Sequence, residues 1–179
     1  MKVAFLDRDG VINKDPGYLY NISDFEFTDD CVEGLKTLQE KGYALIVVTN
    51  QSGIGRGYYS EEDYQTLTRW YIDELSAHGI TITDVFHCPH SPDTDCDCRK
   101  PKPGLFIQAR EKYPEIDFSA SLMIGDKLSD LEPADTMGIS TLVLVESDNQ
   151  DKKIANQALE EKIVHFPSLF AFSQSPELI

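Results

Sequence analysis

The 179-residue sequence predicts a three-layer α/β fold, a parallel sheet with helices on both faces, and three observations carry that expectation. Short apolar, β-rich runs alternate with amphipathic segments, which is the pattern of βαβ units. The most polar clusters fall directly behind those runs, where open α/β sheets place their ligand sites. The length matches one domain of roughly 100 to 200 residues, and 41% hydrophobic composition is enough to bury its core. A single domain over residues 1–179 is therefore expected, with no repeat, low-complexity segment or linker.

The elements follow in order. Lys2 to Leu6 is the first apolar run. Val32, Leu35 and Leu38 recur at helical spacing behind Asp29-Asp30, and Gly42 sits where that helix stops. Tyr43 to Val48 is a continuous apolar strand. Ser60 with Asp63 reads as a capping box opening a helix that carries Tyr64, Leu67, Tyr71 and Leu75 on one face and ends near His78-Gly79. Asp84 to Cys88 is the third strand. Pro103-Gly104 precedes a helix running toward Tyr113-Pro114. Ser121 to Ile124 is the fourth strand, a short helix reaches Gly138, and Thr141 to Val145 is the fifth. Beyond it come a polar turn from Ser147 to Lys153, a helical segment around Ile154 to Leu159, and an apolar end, Phe166 to Phe172, expected to pack on the core.

Charge and cysteine usage narrow the function. Sixteen Lys+Arg stand against 31 Asp+Glu, a net charge of −15, which disfavours nucleic-acid and anionic-membrane partners because phosphate backbones are gripped by clustered cations. No apolar run approaches the roughly 18 residues of a spanning helix, and the N-terminus turns acidic too early for a signal peptide, so a cytoplasmic protein is expected. Cys88, His90, Cys96 and Cys98 form two tight pairs, a Cys₃His set suited to structural, tetrahedral Zn²⁺ with no open position. His87 is expected to pack beside them, and Cys31, alone on a helix, to act as a small buried hydrophobe.

Four polar clusters follow predicted strands: Asp7-Arg8-Asp9-Gly10, Thr49-Asn50-Gln51, Cys88 to Lys102, and Gly125-Asp126-Lys127. An Asp-x-Asp pair alone is weak, since 18 Asp residues produce about two by chance. At the end of a central strand, however, two carboxylates are costly to hold together without a cation, and a hard ion such as Mg²⁺ suits oxygen ligands. With Asp130, the Thr49-Asn50 pair and the basic Arg99-Lys100-Pro101-Lys102, the clusters contain what phosphoryl transfer needs: metal-holding carboxylates, donors for oxyanions, and a lysine. No Gly-x4-Gly-Lys-Ser/Thr loop is present, which argues against a P-loop kinase.

These segments, Asp-x-Asp-Gly-Val at 7 to 11, Thr-Asn-Gln-Ser-Gly at 49 to 53, Arg-Lys-Pro-Lys-Pro-Gly at 99 to 104 and Gly-Asp-Lys-x-x-Asp at 125 to 130, resemble the four ordered motifs of the haloacid dehalogenase superfamily of phosphatases. Within it the sequence is most similar to the D-glycero-D-manno-heptose 1,7-bisphosphate 7-phosphatases, through Leu-Asp-Arg-Asp-Gly-Val-Ile-Asn, Asn-Gln-Ser-Gly-Ile-Gly-Arg-Gly-Tyr-Tyr and Cys-Pro-His followed by Cys-x-Cys-Arg-Lys-Pro. The resemblance implies a Rossmann-like fold. It also implies a phosphatase of ADP-heptose and lipopolysaccharide core precursor synthesis, working through an aspartyl-phosphate on Asp7 with Asp9 as acid and base. Thr49 and the Asn50 amide would hold phosphoryl oxygens, with Gln51, Ser52 and Lys127 also at the substrate. Lys100, or less readily Lys102, would neutralise the nucleophile. Mg²⁺ would sit on Asp7, the Asp9 carbonyl and Asp126. The spacer inside the zinc loop is shorter than the family pattern.

The intervals between motifs are too short for a separate cap domain, so a capless, open rim for a polar sugar phosphate is expected, with Arg56 and Arg99 as clamps for a second phosphate. Tyr58 and Tyr59 either edge the sugar or cover the following helix. A monomer is expected. Three competing functions remain at this point: a histidinol-phosphate phosphatase, a nucleic-acid 3′-phosphatase, which would want a basic groove, and a zinc-stabilised binder of phosphoesters without turnover.

Overall fold

A computed structural model describes residues 1–148 and 156–178. Six parallel strands, β1 (Val3–Leu6), β2 (Ala44–Asn50), β3 (Ile82–Cys88), β4 (Leu122–Gly125), β5 (Thr141–Val145) and β6 (Ile163–Phe166), form one sheet in the order β3-β2-β1-β4-β5-β6. β1 is central and pairs with β2 on one side and β4 on the other. The strand order reverses there, so the carboxyl ends of β1, β2 and β4 open a crevice, the place where doubly wound sheets bind ligands.

Alternation along each strand assigns the two faces. Ala4, Leu6, Leu45, Val47, Ile124 and Val143 share one core with α1 (Cys31–Glu40), α3 (Glu61–Ala77) and α7 (Leu169–Ser173). Val3, Phe5, Ile46, Val48, Met123 and Leu142 share the other with α4 (Gly104–Lys112), α5 (Leu128–Thr136) and α6 (Gln157–Glu160). Both faces are buried, which is why the strands read as continuous apolar runs. Phe5 anchors the second core, its ring 5.1 Å from Phe106 and 5.7 Å from Phe118.

The α3 helix starts where capping chemistry predicts. Ser60 accepts from the Asp63 amide and Asp63 from the Ser60 amide, so the capping box opens α3 as expected. Cys31 is buried in α1, and His87 stacks on Tyr64 with ring centroids 4.1 Å apart. The five expected strands are all present, within one or two residues of their expected ends. A sixth strand, β6, and a four-residue turn of helix, α2 (Ser52–Gly55), were not expected. Both are too short to show a period. The turn expected over 147–153 and the start of the helix expected over 154–159 lie largely outside the described residues, and Gln157–Glu160 is helical. Among the described residues no helix is long and apolar enough to cross a membrane.

Candidate active site

Asp7 leaves β1 at the crevice, its amide donating to the Ile124 carbonyl at 3.0 Å. Its carboxylate meets those of Asp126, just past β4, and Asp130 on the first turn of α5; one oxygen from each lies within 4.8 Å of the others. Two glycines make that approach possible. A Cβ on Gly10, which adopts φ +85°, would collide with the Asp126 carboxylate, and one on Gly125 would collide with Asp130. Asp126 Oδ2 accepts from Ser147 Oγ at 2.7 Å. Burial, then the Asp130 charge, push the Asp126 carboxyl up to about 6. Burial, reinforced by Asp130, likewise raises Asp7.

Lys100 is the counter-charge. It reaches the cluster from the loop after β3, with Nζ donating to Asp130 Oδ1 (2.6 Å), the Val48 carbonyl (2.8 Å) and Asp7 Oδ1 (3.1 Å). Burial alone would lower it, but Asp130 and Asp7 overcome that and raise it. Asn50 aims the lysine: its side chain accepts from the Lys100 amide at 3.0 Å and donates to the Lys100 carbonyl at 3.1 Å. Of the two lysines, Lys100 sits in the cluster, whereas Lys102 lies outside it, on the Cys96 carbonyl.

Three carboxylates and one ammonium leave a formal charge of −2, and Asp126 Oδ1 is buried without a hydrogen-bond partner. An orphaned anionic oxygen beside two more carboxylates fits a divalent cation with oxygen ligands. The Asp9 carboxylate is turned away from that cluster. Its Oδ1 accepts from Arg8 Nε and Nη2 (3.0 and 2.9 Å) and Asn13 (3.0 Å), and its Oδ2 from Gln51 (3.2 Å).

The cleft above these groups encloses about 610 Å³. Asp7, Asp9 and Lys100 lie at its base; Arg56, Arg99 and Lys127 line it with Tyr18, Ser52 and Asp15. Tyr18 meets the exposed Tyr58 edge-on at 4.8 Å, and Arg56 lies 5.8 Å over the Tyr18 ring. Tyr59 also lines the cleft but is largely buried, stacked on Tyr20 at 5.4 Å. Thr49, expected at the phosphoryl oxygens, is buried; Asn50 and Gln51 line the cleft, and the Gln51 amide bonds Asp9, Thr49 and Tyr59.

Sequence reasoning did not assign Arg8 or Asn13, and it counted Asp130 among the carboxylates without giving it a partner. Asp130 was visible in the Gly-Asp-Lys-x-x-Asp pattern. Arg8 carries no such signal, since an arginine between two aspartates reads as solvated until its burial is known; it is fully buried here.

Cys88, His90, Cys96 and Cys98 do come together, their ligand atoms all within 4.8 Å of one another. Cys88 and Cys96 Sγ are 3.8 Å apart, and His90 Nδ1 lies 3.4 Å from Cys88 and 3.2 Å from Cys98. A tetrahedral ion with sulfurs at about 2.3 Å has S–S edges of about 3.8 Å, so the donor set fits zinc. Burial and the adjacent Cys88 raise Cys98 to about 12. Burial is outweighed at Cys96 by the Arg99 and Cys98 amides, which bring it to about 7. Three thiols this close resist joint ionisation unless a cation joins them. The same loop packs on α2, where the Gly55 amide donates to the Pro89 carbonyl at 2.8 Å.

Comparisons with known proteins agree with this architecture. A family model described as HAD-hydrolase-like matches residues 97–169. A D-glycero-alpha-D-manno-heptose-1,7-bisphosphate 7-phosphatase of Photorhabdus laumondii is 49% identical over 166 residues, covering 89% of this chain and 90% of that protein. A D-glycero-beta-D-manno-heptose-1,7-bisphosphate 7-phosphatase of Escherichia coli K12 is 45% identical, covering 79% and 77%. The crystal structure of the D,D-heptose 1,7-bisphosphate phosphatase from B. bronchiseptica, complexed with magnesium and phosphate, superposes with a TM-score of 0.87 at 29% identity over 97% of each chain. With parallel sheet, motif order and relatives in accord, the chain belongs to the haloacid dehalogenase-like hydrolases, in the family of the D-glycero-D-manno-heptose-1,7-bisphosphate 7-phosphatases.

Proposed function

We propose that this chain, acting as one monomeric cytoplasmic domain, is a magnesium-dependent phosphatase that removes the 7-phosphate of D-glycero-D-manno-heptose 1,7-bisphosphate. The observation that carries the reading is the buried cluster in which Lys100 bridges Asp7 and Asp130 while Asp126 keeps an unpartnered oxygen. Such an assembly has little structural merit, since like charges repel and desolvation penalises each of them. It suits a dianionic phosphoryl group.

Asp7 attacks phosphorus, the bond to the sugar oxygen breaks, and Asp9 gives its proton to the departing alkoxide. Asp9 then takes a proton from water, which attacks the aspartyl-phosphate and restores Asp7. Splitting one displacement into two lowers each barrier. Lys100 offsets the charge of Asp7 and the phosphoryl oxygens, and Asp130 keeps it there. Asp7, Asp126 and the Asp9 carbonyl would hold Mg²⁺, which when bound supplies neutralising charge for the phosphoryl oxygens. The zinc set is structural: it fixes the loop that delivers Arg99 and Lys100. Arg56 and Arg99 clamp the 1-phosphate, and Lys127 and Ser52 line the path between the two ends. One buried Arg99 nitrogen has no hydrogen-bond partner among the protein atoms.

The test is phosphate release with product identity read by ³¹P NMR. Heptose 1,7-bisphosphate should lose its C7 resonance and keep its C1 resonance, at a kcat/KM well above that for histidinol phosphate. Loss of the C1 resonance, or preference for histidinol phosphate, overturns the assignment.

A further inference from the structure

One hydrogen-bonded chain connects Tyr59 to Asp9, which the phosphatase reading places at the chemistry, and to Thr49, which the family resemblance places at the phosphoryl oxygens. Tyr59 Oη donates to Gln51 Oε1 at 2.6 Å, and Gln51 Nε2 donates to Thr49 Oγ1 at 2.8 Å and to Asp9 Oδ2 at 3.2 Å. We propose that Tyr59 is a positioning residue, fixing through Gln51 the orientation of the Asp9 carboxylate and the donor role of the Thr49 hydroxyl. The proposal rests on the phosphatase reading of this site.

The direction of the chain matters. A glutamine amide presents an acceptor at one end and donors at the other, and its two orientations have nearly the same shape. The Tyr59 hydroxyl donates to the acceptor end, leaving the amino end for Asp9 and Thr49. Flipped, the amide would set its oxygen against the Asp9 carboxylate and draw the Thr49 proton to itself. In the observed sense Thr49 accepts, so its own proton is uncommitted; the Asn50 carbonyl, 3.5 Å away, is too distant to hold it well. Each donor in such a row also polarises the next.

Packing makes Tyr59 rigid enough to act this way. Its ring is 7% exposed, stacked on Tyr20 on one side, and on the other it lies so close to Gly53 that any side chain there would strike it. Gln51 is 2% exposed. Tyr59 also closes the segment carrying Arg56 and Tyr58, so one residue ties the substrate-facing loop to Asp9.

The experiment is a double-mutant cycle on the full chain with Mg²⁺, using heptose 1,7-bisphosphate and, as a generic probe, p-nitrophenyl phosphate. Tyr59→Phe should lower kcat roughly 5- to 30-fold on both substrates with KM within about twofold and an unchanged urea midpoint. Gln51→Met should lower kcat further, and adding Tyr59→Phe to it should cost nothing more, because the hydroxyl then has nothing to orient. Unchanged kcat in Tyr59→Phe, or losses that multiply in the double variant, overturns the proposal while leaving the phosphatase reading intact. A Tyr59→Phe chain that fails to fold also overturns it, since the hydroxyl would then be structural. A parent chain that hydrolyses neither substrate refutes the phosphatase reading instead, and the proposal with it.

Discussion

Asp126→Asn should stabilise the metal-free protein and abolish its activity. The side chain is buried, its Oδ1 has no partner, and burial together with Asp130 lifts its carboxyl from an ordinary 3.8 to about 6. The sign follows from proton linkage. In the unfolded chain the carboxyl ionises near 3.8, while the folded protein holds its proton until about pH 6. Folding therefore binds a proton between those values, and the parent loses stability as pH rises through that window. The full penalty is about two pK units at 1.36 kcal/mol each, or up to about 3 kcal/mol above pH 6. Asparagine has the same shape, still accepts from Ser147, and carries no charge to bury. Urea unfolding in EDTA at pH 8 should show the variant up to about 3 kcal/mol more stable, with the gap closed near pH 4. Mg²⁺ should then stabilise the parent, by about 2.7 kcal/mol at one hundred times its Kd, and the variant much less. A variant no more stable than the parent at pH 8 in EDTA, or a gap that persists at pH 4, would falsify the account of Asp126 as a desolvated carboxylate awaiting a cation.

Other consequences are as direct. Asp7→Asn should release no phosphate yet fold normally, and the parent quenched in mid-turnover should carry a hydroxylamine-labile phosphoryl group on Asp7; full turnover by the variant removes Asp7 as nucleophile. Arg99→Ala should reduce kcat/KM for the heptose bisphosphate by the energy of one charge-assisted hydrogen bond, ~1.5–3 kcal/mol or about 10- to 150-fold, and leave a small monophosphate nearly unaffected. Equal losses on both substrates place Arg99 at the reacting phosphate instead. Purified parent should contain one zinc per chain by elemental analysis, and Cys96→Ser with Cys98→Ser none, with KM raised and kcat lowered together. Gly10→Ala should fail to build the site, because its Cβ falls on the Asp126 carboxylate; normal Mg²⁺-dependent turnover in that variant would show the cluster to be looser than described.

Much of this was legible in the sequence, for a physical reason. Strands buried on both faces must be continuously apolar, so β1 to β5 announced themselves, and chemistry gathers at their carboxyl ends, so the four polar clusters were found together. What stayed hidden depended on burial and direction. Lys100 and Lys102 differ by two positions in one basic run, and only the Asn50 clamp shows which enters the interior. Arg8 reads as a surface charge until the loop from Asn13 to Phe27 closes over it, with Arg8 donating to the Leu19 carbonyl at 3.1 Å. Gln51 reads as a ligand-facing amide, yet its partners are Tyr59, Thr49 and Asp9. Composition records which groups are present, whereas hydrogen-bond direction is fixed only by packing.

On the proposed function, a zinc-bound loop would explain how an open rim can still be selective. A cap domain would order substrate by closing over it; here the cations that would grip the second phosphate must be held still beforehand. Arg99 and Lys100 directly follow Cys98, so a metal tying Cys98 to Cys88 fastens both to the end of β3. On its other side the loop abuts α2 so tightly that any Cβ at Gly55 would press on the backbone of Pro89 to Ser91, and Arg56 is the residue that caps α2. With zinc bound, one strut would brace both proposed clamps. Ordering a flexible arginine on binding costs about 0.5 to 1.5 kcal/mol per side chain, and bracing the backbone beneath both lowers that loss before substrate arrives. Zinc removal should consequently weaken heptose bisphosphate more than p-nitrophenyl phosphate, since only the former engages both clamps. Equal weakening of the two in the Cys96→Ser, Cys98→Ser chain would mean that the strut serves Lys100 alone.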